Sequence, residues 1–145
     1  MTRVVLSSMF MVAAVCAVTA AELSPALVDP YVRVQSALAA DKVDTVNADA
    51  AEIGKAAAAL GDPAKPIVAA AKQLEEASDL KAARQAFGKL SDSVFAYAKA
   101  SGATMPEGVR TAYCPMVNKS WLQKDEKIQN PYYGSEMLEC GSFRK

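Results

Sequence analysis

Cys114, Met116, Met137 and Cys140 are the residues of this chain best suited to chemistry. They fall as Cys-Pro-Met and Met-Leu-Glu-Cys, one pair at each end of the stretch from Tyr113 to Gly141. The same stretch holds the single tryptophan, Trp121, and three of the five tyrosines. Thiolate and thioether sulfurs are soft and polarisable, and such donors select Cu(I) and similar soft ions over hard ones. If the intervening residues fold back, two thiolates and two thioethers meet. Two deprotonated cysteines around Cu(I) leave one net negative charge, which Lys119, Lys124 or Lys127 can offset. Trp121 and Tyr113 are candidates to shield the site, and a tryptophan ring face attracts a cation. The same cysteines support a plainer reading, a Cys114–Cys140 disulfide. That bridge would close the loop over residues 114–140, worth roughly 3.5 kcal/mol by chain entropy. The methionines would then be core fillers, and Trp121 a plug for the tail.

Composition removes other chemistries. The 145 residues suffice for one domain with one core. Histidine is absent, which excludes Ser-His-Asp and Cys-His nucleophiles and any imidazole ligand. Sixteen basic residues balance sixteen acidic ones, so no basic excess argues for nucleic acid. The cysteines lack C-x-x-C spacing, and no carboxylate pair asks for an enzyme. The expectation is a protein without catalytic activity.

Residues 1–20 read as a secretory signal peptide: Arg3, then an apolar run from Val4 to Val18, then small residues. Its removal takes Arg3 and Cys16, leaving 15 basic against 16 acidic residues. The expected location is periplasmic or secreted, with no membrane span after cleavage.

The remainder, 21–145, reads as one helical domain. Leu27, Tyr31, Val34 and Leu38 share a face of a helix over 25–40. Asp41, with Asp44 three residues on, reads as the N-cap of a second helix carrying Val43, Val46, Ala50, Ile53, Ala57 and Leu60. Gly61 ends it. A third helix buries Ile67, Ala70 or Ala71, Leu74 and Ala77. A fourth, capped by Ser78 or Asp79, carries Leu80, Ala83, Phe87, Leu90, Val94 and Tyr97 up to Gly102. The predicted fold is all-α, an antiparallel four-helix bundle with alanine-rich, closely approaching seams. An irregular Cys/Met/aromatic tail, 103–145, packs on it and holds the metal site. Within the tail, Thr111–Tyr113 reads as extended and Asn130–Gly134 as turns. Ser135 would cap a single helical turn, in which Met137 and Cys140 point the same way.

Read in order, Cys114-Pro115-Met116, Trp121-Leu122, Ile128, Asn130-Pro131-Tyr132-Tyr133-Gly134, Met137 and Cys140-Gly141 resemble the C-terminal signature of domain-of-unknown-function family 3347. Phe87, Leu90 and Ser91 agree with its last helix. That helical domain occurs in small exported proteins and fused to periplasmic adaptor subunits of copper/silver efflux systems. Some members carry a histidine where this chain has Tyr113. The resemblance implies a periplasmic role in heavy-metal resistance, with copper as the ion and an efflux adaptor as a partner. Two expectations stand side by side. One is a Cu(I)-binding protein for sequestration or delivery to an efflux system. The other is a disulfide-stapled helical interaction module with no metal of its own.

Overall fold

The computed structural model describes residues 21–144, so the expected signal peptide lies outside the described residues. Four helices form where apolar residues recur every three or four positions: α1 (Pro25–Ala39), α2 (Val46–Ala58), α3 (Lys65–Glu75) and α4 (Leu80–Ser101). Their stripes are buried in one core, with Leu27, Leu38, Ile53, Ile67, Leu74 and Leu90 fully enclosed. The Asp79 side chain accepts the Ala82 N–H at 2.8 Å, and Gly102 closes α4 at φ 69, as a helix end asks. Among the described residues no helix is long and apolar enough to cross a membrane.

The start of α2 departs from expectation. Asp41 is not its N-cap. It stands at φ 58 just beyond α1, and its carboxylate accepts from Arg84 and from the Ser135 N–H, 3.2 Å away. With that carboxylate claimed elsewhere, the helix begins only at Val46.

The all-α expectation is overturned as well. The region read as an irregular tail contains β1 (Arg110–Cys114), β2 (Lys119–Gln123) and β3 (Ser142–Phe143), an antiparallel sheet in the order β2-β1-β3. The protein is mixed α/β. The reason lies at the seam between α1 and α4. Successive helices pack on one another, and alanine draws them close: a Cβ on Gly54 would touch that of Ala71 at 3.7 Å. A closed bundle would also pack α4 along α1, but here β2 lies against both. Trp121 and Leu122 of β2, fully buried, fill that space. Residue 31 closes the strand's outer edge. The Leu122 N–H donates to the Tyr31 hydroxyl at 3.3 Å, and that oxygen lies 2.6 Å from Ser91 Oγ. An edge strand buried this way leaves no unpaired amide at that point. Burial pushes the Tyr31 phenol well above its ordinary pKa, so it stays neutral.

Candidate functional site

Cys114 ends β1 on the same side of the strand as Ala112, and both are fully buried. The turn that follows, over residues 115–118, carries Asn118 at φ 52, a conformation asparagine tolerates. This turn aims the Val117 and Met116 N–H groups at the Cys114 sulfur, which also meets the Cys140 thiol and the Asn130 side chain. Burial alone would raise the Cys114 thiol. The Val117 N–H, the Cys140 thiol, the Met116 N–H and the Asn130 amide outweigh it and hold the thiol below its ordinary value. Cys140 moves the other way: its bond to Cys114, then desolvation, push its thiol up. The two sulfurs are 3.3 Å apart and unbridged.

Three side chains or their absence bring Cys140 there. The pairing of β3 with β1 matches Tyr113 to Ser142, which carries Gly141 alongside β1. Gly141 sits at φ 140, and a Cβ on it would lie 2.8 Å from the Tyr113 carbonyl oxygen and 2.9 Å from the Trp121 ring. Only glycine lets the chain pass this close. Asn130, fully buried, is the latch. Its Nδ2 donates to the Cys140 carbonyl at 2.7 Å, and its backbone N–H donates to the Leu138 carbonyl at 2.8 Å. Its Oδ1 accepts the Tyr132 and Tyr133 N–H groups. The expected turn role of Asn130 is present, and its contacts to both cysteines come in addition to it. Gln123, also buried, organises the preceding loop. It accepts from the Trp121 ring N–H at 2.9 Å and the Gln129 N–H at 3.1 Å, and donates to the Asp125 and Lys127 carbonyls. Sequence alone does not single out Gln123, and it offers Gly141 only as the neighbour of Cys140, because the partners of both are set by the folded loop.

The thioethers are placed differently from the thiols. Met116 lies on the exposed turn after Cys114 and Met137 just beyond a 3₁₀ turn at Gly134–Glu136; they are 64% and 38% exposed. The expected helical turn from Ser135 to Cys140 is cut short, since Met137 adopts φ −148. Two thiols are thus brought together, and two thioethers stand at the surface on neighbouring segments. Trp121 is a buried core side chain, packed edge-on to Tyr132 at 5.8 Å and forming a floor under Gly141. Tyr113 projects to the other face of β1, under the Arg144 guanidinium at 4.0 Å, with its hydroxyl donating to Asn118. Lys119 and Lys124 are engaged by Asp92 and Asp29, so neither is free to offset a thiolate.

Among the described residues no group of three or more His, Cys, Asp or Glu side chains gathers to hold an ion. What the fold brings together is two thiols, with backbone and side-chain amides around one of them; sulfur donors of this kind are the type that soft ions accept. An ion about 2.3 Å from each sulfur needs them roughly 3.8 to 4.6 Å apart, depending on the angle. A disulfide needs about 2.0 Å. The observed 3.3 Å lies between, with Cys114 buried and Cys140 partly exposed. Searches against protein-family models, curated proteins and solved structures find no match for this chain.

Proposed function

We propose that the protein, exported by its N-terminal leader, carries a soft metal ion, Cu(I), on Cys114 and Cys140. It acts by binding and release, in sequestration or in delivery to a periplasmic efflux adaptor, and is not an enzyme. The observation that supports this reading is the sulfur pair at 3.3 Å, with Cys114 lowered by two turn amides. Metal thiolates must be deprotonated, and these amides favour the charged form without adding a competing cation. Met116 and Met137, exposed on adjacent segments, offer thioethers for ligand exchange. Thiolates hold the ion, and thioethers accept it in passing.

The disulfide reading keeps one observation in its favour, since the same pair is close enough to bridge after a small movement. As a staple, however, the bridge has little to do. Trp121 and Leu122, with the bonds of Gln35 and Arg84 to the Gln129 and Pro131 carbonyls, already fix the sheet half to the helices with both thiols free.

Anaerobic Cu(I) titration against a chromophoric chelator tests the proposal on the reduced, leaderless protein. One equivalent is expected in the wild type and none in Cys114→Ser/Cys140→Ser. Replacing Met116 and Met137 by leucine should leave the stoichiometry at one and slow transfer to the chelator. Reduced wild type that takes up no copper removes the metal reading and leaves the stapled module.

A further inference from the structure

Beside the thiol pair, a groove of about 910 Å³ runs between α4 and the turns of the sheet half. Its helix rim is a row at i, i+4 and i+8: Lys81, Gln85 and Lys89, all exposed. The opposite wall is Val117, Tyr132 and Tyr133, all half-buried. Four cationic side chains line it against one carboxylate, Glu136. Two of the four are spoken for: Arg84 holds Asp41, and Lys119 holds Asp92. Lys89 meets only the neutral Gln73, at 3.0 Å. Among the described residues neither Lys81 nor Lys89 has a carboxylate within salt-bridge reach. The groove therefore has a row of uncompensated positive charge on one side and an aromatic, apolar wall on the other.

We propose that this groove docks an acidic, extended segment of a partner protein, its carboxylates on Lys81 and Lys89 and an apolar side chain against Val117, Tyr132 and Tyr133. Charge complementarity selects the occupant's sign. The open groove, with cations two helical turns apart on one side and an aromatic wall on the other, suits a segment that carries both acidic and apolar residues. The location adds a consequence. Val117 belongs to the turn whose amides face the Cys114 sulfur, and Glu136 adjoins Met137. A segment seated here lies next to the proposed ion; that it receives or supplies that ion rests on the copper reading above.

The test uses metal-free, isotope-labelled protein and a synthetic peptide of alternating glutamate and leucine, with a lysine-for-glutamate peptide as control. Amide shifts are expected at Lys81, Gly88, Val117 and Tyr133, and binding should weaken steeply with salt. The Lys81→Glu/Lys89→Glu variant, changed only at exposed positions, should bind about tenfold more weakly. Shifts scattered over the surface, equal binding of the lysine peptide, or unchanged affinity in the variant would overturn the proposal. So would decanoate moving these amides while the peptide does not, which would make the groove a small-molecule pocket. Repeating the titration on Cys114→Ser/Cys140→Ser separates the two readings. Docking is expected to persist there, whatever the copper titration gives.

Discussion

Apolar stripes hold the helical half, residues 25–102, together. Its interior is Leu, Ile, Val, Phe and many alanines, and any one contact is modest. The sheet half, residues 103–144, has fewer apolar residues and is held by side chains bonded to distant backbone. Asn130 reaches Cys140, Gln123 reaches Lys127 and Gln129, and Arg84 reaches across from α4 to the Pro131 carbonyl at 3.0 Å. The first kind of order is redundant, spread over many equivalent methyl groups. The second is singular: one amide side chain serves several backbone groups at once, and losing it leaves them buried and unpaired. A bland helical scaffold tolerates change, whereas the half that carries the sulfurs does not.

The largest expected effect tests whether the sheet half is an appendage. Trp121→Ala empties the space between α1 and α4 and should cost about 3–5 kcal/mol in denaturant unfolding. A helical signal that melts unchanged in that variant would mean the helices stand alone. Next comes Asn130→Ala, which strips the latch and leaves buried carbonyls and amides unpaired. A loss of about 2–3 kcal/mol is expected, with faster alkylation of Cys140. Gly141→Ala should cost about 1–3 kcal/mol through its clash with the Tyr113 carbonyl and Trp121. It should also part the sulfurs, measurable as slower disulfide formation under mild oxidant. In the helical half, Asp79→Ala removes only the cap of α4 and should cost about 1 kcal/mol, with thiol reactivity unaltered.

The smallest effect is electrostatic. Ser135, and after it Arg84, hold the Asp41 carboxyl below the ordinary carboxylate range. A lowered folded value means stabilisation that is present above the ordinary carboxylate pKa and lost as pH falls through the lowered one. Asp41→Asn should flatten that acid-side decline in Tm, followed by thermal scans across pH. An identical decline in the variant would place the acid sensitivity on another group.

The same contrast decides what a sequence reader can see. Leu27 to Leu38, or Ala83 to Val94, announce a buried face by spacing alone, because helix contacts repeat locally. Asp41 misleads for the converse reason. Its spacing to Asp44 fits a cap, but Arg84 and Ser135, far along the chain, claim its carboxylate. Strand β2 has little apolar alternation, and its one local signal is a hairpin: two short runs joined by Pro115 to Asn118. At the site, residue type alone suggests the pairing of Cys114 with Cys140. The amides of Met116 and Val117, the latch at Asn130 and the clearance at Gly141 act through closed loops, and no spacing rule encodes them.

One oxygen has a consequence for how the molecule opens. The Tyr31 hydroxyl touches Ser91 on α4 and takes the Leu122 amide of β2, while its own ring stands on α1, 4.9 Å from Phe87. The Leu122 proton is thereby enclosed where α1, α4 and β2 meet. In deuterated water it should exchange as slowly as the deepest amides of the longest helix, so this single position reports when the whole domain lets go.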